Sequence, residues 1–401
     1  MSRQFRWLWA AYTVSTAGTW LGFGALGVLA ILVLDAGPAQ VSLLSAAGLA
    51  VGALVAVPLG PWVEFRRKRP VMMTMDLLRC AALLSIPIAY ALGWLTFAQL
   101  VVVSVGTAAA DIAFKAASGA YLKGLVPRTE LLAANARFEA TTWTATVVGP
   151  PLGNAALSVF GPVTAVTADA LSFILSAAGL RAIGGDERRP VRPDSPRWQA
   201  RDLLDGWRYL LRHPTLRPLF ANTVLVNGLI MASAPLLAVL MLDRLGYPPW
   251  QYGLAFGAPC LGGLLGARLA GPLVERYGQH RVLRVAGTLR ACWPLGLAFI
   301  GAGTGGLVLV VAVQFGLVAC MGVFNPVFAT YRLEQTASDR VARTLAAWSV
   351  TSSATIAALT AVWGVLATVT SLRTAIAAAG IVLLATPLLL PSRDASKLRT
   401  P

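Results

Sequence analysis

The stretch "GPWVEFRRKRPV" runs from Gly60 to Val71, and "GPLVERYGQHRV" runs from Gly271 to Val282. Gly60, Pro61, Val63, Glu64 and Val71 recur as Gly271, Pro272, Val274, Glu275 and Val282, at a constant offset of 211 residues (271 − 60). At the same offset "LLR" at Leu77–Arg79 meets "TLR" at Thr288–Arg290. Each copy follows a long apolar run, puts a glutamate four residues after a glycine and then gathers arginines. A connector written twice in the same direction implies a parallel repeat, two similar halves of one membrane protein.

Composition fits a bilayer. The chain has 401 residues, of which 57% are hydrophobic and 12% charged, against ~25% charged in soluble domains. Its apolar residues fall in blocks of about twenty or more, the length a helix needs to cross a membrane. Twelve such blocks are expected near 7–34, 41–63, 71–93, 97–122, 131–157, 163–183, 218–242, 250–274, 282–301, 305–328, 345–368 and 373–390. Barrel strands would be shorter and would alternate in polarity. The fold class is therefore all-α and polytopic, with twelve transmembrane helices in two pseudo-symmetric six-helix bundles. The first apolar run is too long for a cleavable leader and lacks a small-residue cleavage site.

A net charge of +16 would suit nucleic acid, but the basic residues sit in short patches between apolar runs. That is an orientation signal, so the lipid bilayer is the expected partner and nucleic acid is not. Basic residues fill every second loop: Arg3 and Arg6; Arg66 to Arg69; Lys123 and Arg128; the 184–217 connector; Arg276, Arg281 and Arg284; Arg332, Arg340 and Arg343; and the C-terminal Arg393, Lys397 and Arg399. Both termini are thus expected in the cytoplasm. The domain division is 1–183, a six-helix bundle; 184–217, a cytoplasmic linker; and 218–401, a second bundle with a short tail. In the linker, Leu203, Leu204, Trp207, Leu210 and Leu211 share one helical face, which predicts a helix lying on the membrane surface.

On these motifs the chain resembles the major facilitator superfamily. That family's loop signature is Gly, three residues, Asp, Arg or Lys, one residue, Gly, then basic residues. Gly271, Glu275, Arg276, Gly278 and Arg281 match it with Glu for Asp. In the first copy Gly60 and Glu64 remain, but Phe65 and Arg67 replace the basic residue and the second glycine. The resemblance implies a conformational latch at these residues, where a carboxylate can take bonds from arginines and a helix N-terminus. "VVGPPLGN" at Val147–Asn154 is similar to the family's fifth-span antiporter motif, with Gly149, Pro150 and Gly153 in place; in the family it goes with exporters. "LVPRTELLAANARFEAT", "TADALSFILSA" and "DGWRYLLRHPTLRPL" resemble the branch that holds the enterobactin exporter and many bacterial drug exporters.

Polar residues within spans are expensive and mark function or structure. Asp111 and Lys115 stand i, i+4 in the fourth span, so their side chains meet. "KAASG" at Lys115–Gly119 resembles the family's span-four motif, with Lys115 for an arginine associated with proton transfer and Ser118 for a glutamine. Asp111 and Lys115 are the expected proton-coupling pair. Trp20, Trp143, Asn227 and Gln314 are the expected substrate-cavity residues, in spans one, five, seven and ten. Asn325 is also polar within span ten. Asp169, in the "DALSF" phrase, reads as structural. Asp76, Arg79 and Arg290 read as groups near inner membrane ends that snorkel or support the latch.

Other chemistry finds no support. Cys80, Cys260, Cys292 and Cys320 have no metal-ligand spacing. The glycines of "GFGALG" lie within a span with no strand before them, and the loops hold no catalytic triad or carboxylate pair. The expectation is no enzyme, no cofactor and no metal. The resemblance implies a monomeric, proton-coupled efflux antiporter of the cytoplasmic (inner) membrane, exporting a small, partly apolar, drug- or antibiotic-like compound by alternating access. A dedicated siderophore or natural-product exporter is the alternative cargo reading. A non-transporting receptor or scaffold is the alternative class.

Overall fold

The structure is a computed structural model that describes residues 2–22, 25–36, 38–184, 187 and 204–391. Ahead of the connector come α1 (Arg3–Leu21), α2 (Ala25–Leu34), α3 (Pro38–Ala56), α4 (Leu59–Glu64), α5 (Lys68–Ala91), α6 (Phe97–Leu125), α7 (Leu131–Phe160) and α8 (Pro162–Ala182). Within it lies α9 (Asp205–Arg212). After it come α10 (Leu216–Val239), α11 (Pro249–Gly257), α12 (Cys260–Tyr277), α13 (Gln279–Cys292), α14 (Gly303–Gln335), α15 (Val341–Val369) and α16 (Leu372–Ala385).

Local chemistry places the helix ends. Ser2, Thr96 and Ser371 cap α1, α6 and α16, their hydroxyls accepting from the N–H groups of Phe5, Gln99 and Thr374, which satisfies donors that no helix can satisfy internally. Gly161 takes φ 81° ahead of Pro162, the first residue of α8. Gly278 takes φ 82° between α12 and α13, a conformation that needs glycine. At the matching position of the first copy Arg67 has φ −59°. That turn runs in ordinary space, so the second glycine could be replaced there.

Nine stretches of the described residues are long and apolar enough to cross a bilayer. Of the other three expected spans, one rests on a 19-residue apolar helix without a charge, one on a more polar helix and one on a shorter helix. Span 41–63 is carried by α3 and α4, interrupted near Pro58. Span 131–157 is α7, whose first turns bring in Asn135, Arg137 and Glu139. Span 282–301 is α13, 14 residues long, followed by a tight 3-10 turn over Pro294–Phe299. Large apolar side chains such as Leu54, Trp94, Val102, Phe160, Trp250, Phe299 and Val369 face outward, as a lipid-facing surface requires and a soluble one avoids.

The repeat extends far beyond the loop. Helices α5, α6, α7 and α8 start within a few residues of where an offset of 211 predicts for α13, α14, α15 and α16. Packing repeats with it: α5 meets α6 and α8 as α13 meets α14 and α16, and α3 meets α6 as α12 meets α14. One apolar core holds Ala25, Leu29, Ala30, Ala36, Leu44 and Ile86. Another holds Leu236, Leu240, Met241, Tyr247, Ala255 and Leu297, each the offset partner of the residue in the same place of the first set. The chain is thus an all-α polytopic protein made of a repeated helical bundle.

By compactness the chain forms two units: Met1–Leu131 with Val148–Tyr209 and Thr336–Thr351, and Leu132–Val147 with Leu210–Gln335 and Ser352–Pro401. The first half of α7 therefore packs with the later unit, and the first turns of α15 pack with the earlier one. Connector residues 185, 186 and 188–203, Leu203 among them, and the tail 392–401 lie outside the described residues. The expected surface face of the linker helix is divided. Leu204 and Leu211 are exposed, whereas Leu210 is buried and Trp207 packs on Ala53, Ala56, Ala109, Ile112 and Val350. The indole N–H of Trp207 needs an acceptor when buried and finds Thr351 Oγ1 at 2.8 Å.

Candidate functional site

In the first unit four charges from α5 and α6 form one network. Lys115 Nζ lies 2.7 Å from Asp111 Oδ2, as the i, i+4 spacing predicts. The other oxygen of Asp111 faces Arg79 Nη1 at 3.4 Å. Arg79 Nη2 donates to Asp76 Oδ1 at 2.9 Å, and Ser176 Oγ on α8 donates to Asp76 Oδ2 at 2.7 Å. The Arg79 guanidinium lies between the rings of Phe114 and Phe173, 4.7 and 4.5 Å from their centroids. Two carboxylates balance two cations, which is how charges persist in a membrane.

The network has a fixed end and an open end. The Arg79 and Asp76 side chains are 6% and 0% exposed, while those of Lys115 and Asp111 are 61% and 37% exposed. A pair that is reachable on one side and tied to a buried arginine on the other can change partners. Asp169 lies against Gly18 of α1 and Gly22 just after it, and its buried Oδ1 has no hydrogen-bond partner among the described residues.

The exporter-like stretch builds a close helix crossing. A Cβ on Gly149 would lie 2.5 Å from Trp20 Cβ, and one on Gly153 would lie 2.2 Å from the Leu21 carbonyl oxygen. The two glycines let α7 meet the backbone of α1. Trp20 contributes its Cβ and its backbone carbonyl to this contact. The side chains of Pro150 and Asn154 lie outside the described residues.

The two copies of the loop behave differently. Glu64 is buried and its Oε2 accepts from the Arg343 N–H, 3.0 Å away, at the start of α15. Gly60 touches Ala346 of the same helix, where an added Cβ would come within 2.9 Å. Lys68 Nζ donates to the carbonyls of Val63 and Arg66, at 2.9 and 3.0 Å. The Arg343 side chain donates to Asp205 Oδ2 at 2.9 Å and covers Phe65 at 4.7 Å. Glu187 closes the loop's far side by accepting from the N–H of Arg69 at 3.0 Å. In the second copy Glu275, Arg276 and Gly278 are exposed. Arg276 lies over Tyr277 at 5.4 Å, Gly271 has open space around it, and neither Arg276 nor Arg281 forms an ion pair with Glu275 among the described residues.

The second unit carries a different polar set. Arg290, the offset partner of Arg79, is likewise buried but has an amide instead of a carboxylate: its Nη2 donates to Asn222 Oδ1 at 2.7 Å. Asn222 in turn donates to the Thr386 carbonyl at 2.8 Å, and the Arg290 guanidinium sits 3.5 Å from the Phe324 centroid. Trp143 donates its indole N–H to Glu139 Oε1 at 2.8 Å, and Asn325 Nδ2 reaches the same oxygen at 2.7 Å. Asn227 and Gln314 are half-buried and make no hydrogen bond among the described residues.

Four residues carry more than the sequence reading gave them. Asp76 and Arg79 do not snorkel to a membrane end; they are the buried anchor of Asp111. Arg290 is buried as well. Glu139 was not singled out at all. The signals were present as spacing, i, i+3 for Asp76 and Arg79 and i, i+4 for Glu139 and Trp143. They were masked by nearby basic loops that made position look sufficient.

Comparison with known proteins agrees with this architecture. The sequence model of the Major Facilitator Superfamily matches residues 8–331. A Bacillus subtilis (strain 168) protein described as the uncharacterized MFS-type transporter YuxJ is 28% identical over 137 residues, a stretch that is 34% of this chain and 34% of that protein. Among solved structures, a bacterial homologue of the iron transporter ferroportin in an outward-facing state superposes with TM-score 0.82 at 15% identity, covering 97% of this chain and 98% of the other. The human organic anion transporter MFSD10 (TETRAN) gives 0.78 at 14%, covering 98% and 100%. The E. coli fucose:proton symporter FucP gives 0.72 at 13%, covering 97% and 98%. At such identities these structures share a fold with the chain and nothing finer. With the family model spanning most of its length and its repeated helical bundle matching solved members end to end, the chain belongs to the Major Facilitator Superfamily and is a multi-pass membrane transporter.

Proposed function

We propose that the chain is a bacterial inner-membrane exporter that moves a small, partly apolar organic compound outward while protons flow inward. Both termini are cytoplasmic in this reading, which rests on the basic residues in every second loop. The halves 1–183 and 218–401 alternate access by rocking, and the Glu64 contact to α15 is one of the ties that must break as they do. Asn227 and Gln314 offer polar groups that no described residue engages, and we assign them to the compound. The iron, organic-anion and fucose carriers that share the fold show how little the fold alone says of cargo.

The observation that carries the reading is the Asp111–Lys115 pair, 2.7 Å apart and anchored on Arg79. A proton or a cationic compound arriving at Asp111 competes with Lys115 for the carboxylate, and Arg79 holds the aspartate in place throughout. Lysine, unlike arginine, can give up its proton when desolvated. The test is transport in everted vesicles of an efflux-deficient bacterium, screened over a compound panel and followed with a pH-sensitive dye. The Asp111→Asn, Lys115→Met double variant is neutral overall, so it removes the exchange without stranding a charge. It should still bind compound but lose gradient-driven export and compound-dependent proton flux. Export that persists in the double variant with its pH response intact would remove the pair from the mechanism.

A further inference from the structure

Among the described residues, Glu139 is a carboxylate of the second unit, within the expected span 131–157, that the proposed mechanism leaves unused. It lies about a dozen ångströms along α7 from its start, at 1.5 Å per residue, and is half-buried. Its Oε1 accepts two N–H donors, the Trp143 indole at 2.8 Å and the Asn325 amide at 2.7 Å. Among the described residues, these two neutral donors are its polar partners and no cation acts on it.

The surroundings explain why. On α7 itself Arg137 is two residues away and therefore on another face. On α14, Arg332 lies two turns beyond Asn325, about 10 Å along the axis, and is held over Phe328 at 4.8 Å. Helix α12 presents Gly263 beneath the indole, where an added Cβ would come 2.4 Å from Trp143 Cδ2. The charged Arg268 of that helix is exposed. Gly263 thus seats Trp143, and Trp143 with Asn325 seats Glu139. Asp111 has Lys115 and Arg79; among the described residues Glu139 has neutral donors alone. A carboxyl without a cation in a membrane is expensive when charged, and two N–H donors on one oxygen are what can sustain that charge.

We propose that Glu139 is a proton-exchange site separate from the Asp111–Lys115 pair, and that its proton sets the strength of a tie between α7 and α14. The two donors differ in kind. Trp143 rides on the same helix as Glu139 and stays with it. Asn325 comes from the second half of the sequence. Its bond to Glu139 joins the halves within this unit, next to a second and non-titrating rung from Asn135 Nδ2 to Thr330 Oγ1 at 2.9 Å. A hydrogen bond to an ionised carboxylate is roughly twice as strong as one between neutral groups. A proton taken from water onto Oε2 neutralises the carboxyl and leaves Asn325 the weaker bond, so α14 is freer to part from α7. Release of that proton to water restores the tie. The inference does not depend on the direction of transport, the cargo or the role of Asp111.

Infrared difference spectroscopy on the purified full chain in lipid nanodiscs, acid minus neutral, tests it directly. A protonated-carboxyl C=O band is expected that E139Q removes. The N325A variant keeps Glu139 but strips a donor from its carbonyl oxygen, and should move that band to higher wavenumber. The Asp111→Asn, Lys115→Met variant should leave the band in place, so failure of the coupling pair and failure of this site give different spectra. A difference spectrum unchanged in E139Q overturns the proposal. Should E139Q not fold, N325A decides, and a band that stays where it is in the unmodified chain overturns it equally.

Discussion

Asp76 is fully buried, and what makes that tolerable is one guanidinium and one hydroxyl. Arg79 holds one oxygen at 2.9 Å and Ser176 the other at 2.7 Å. Arg79→Met removes the cation and leaves two carboxylates facing each other across an apolar space. Breaking a buried pair from one side costs about 3–5 kcal/mol, whereas replacing both partners by apolar groups is often neutral. Arg79→Met should therefore lower the thermal midpoint in detergent sharply, and adding Asp76→Leu should recover most of the loss. If the double variant is as unstable as the single, Arg79 serves Asp111 and not Asp76. At this scale the sequence was half legible. The Asp111–Lys115 contact follows from spacing within one helix. The Arg79–Asp111 contact joins α5 to α6 and needs their packing, which no local pattern contains. The Glu139–Trp143 contact likewise follows from spacing, whereas Asn325 reaches Glu139 from a helix nearly two hundred positions later.

Helices were more legible than their edges. Length and apolarity gave the long spans, and the capping residues Ser2, Thr96 and Ser371 stand where helices begin. The expected span 282–301 is broken, since α13 ends at Cys292 before the 3-10 turn at Pro294–Phe299, where Pro294 has no N–H to give to the helical ladder. The "VVGPPLGN" stretch gave its meaning more readily: glycines spaced by four permit close crossing, and the crossing partner is α1. Gly153→Ala would press a methyl group to 2.2 Å of the Leu21 carbonyl oxygen. The backbone cannot swing aside as a side chain would. Overpacking of this kind costs roughly 1–3 kcal/mol, so Gly153→Ala should destabilise the protein in a thermal assay. Gly106→Ala, where no heavy atom lies within 4 Å, should not, and should gain slightly from helix propensity. Equal behaviour of the two variants would mean that α1 and α7 do not rely on the glycine contact.

Across the whole molecule the repeat at 211 residues was visible in one loop, and the structure extends it to the cores, where Leu29 and Leu240 or Ile86 and Leu297 share places without sharing a recognisable motif. Apolar positions tolerate exchange, so repeated cores keep their places without keeping their residues, while the loop keeps its glycine and glutamate, Gly60 and Glu64 against Gly271 and Glu275. The latch in that loop was expected in both copies; among the described residues Glu64 accepts from α15 and Glu275 is exposed. At the start of helix α15, Glu64 supplies an acceptor from the other half of the sequence to the N–H of Arg343, the third residue of the helix, a position that N-caps serve. Burial pushes the Glu64 carboxyl above its ordinary value of 4.5, against the opposing pull of Lys68 and of the Arg343 and Ala342 N–H groups. The folded value is thus raised relative to the unfolded one, so the folded chain binds this proton more tightly. The stability linked to Glu64 is present in full below the unfolded carboxyl value and is lost as pH rises through the folded one. Glu64→Gln cannot titrate at this position. The difference in thermal midpoint, unmodified chain minus Glu64→Gln, should therefore fall as pH is raised from below 4.5 toward neutrality. Removing Lys68 with Lys68→Met takes away the nearest cation and should steepen that fall. A difference that rises with pH would mean that the N–H groups of α15 outweigh burial, and the contact would then be a simple cap that holds best when charged.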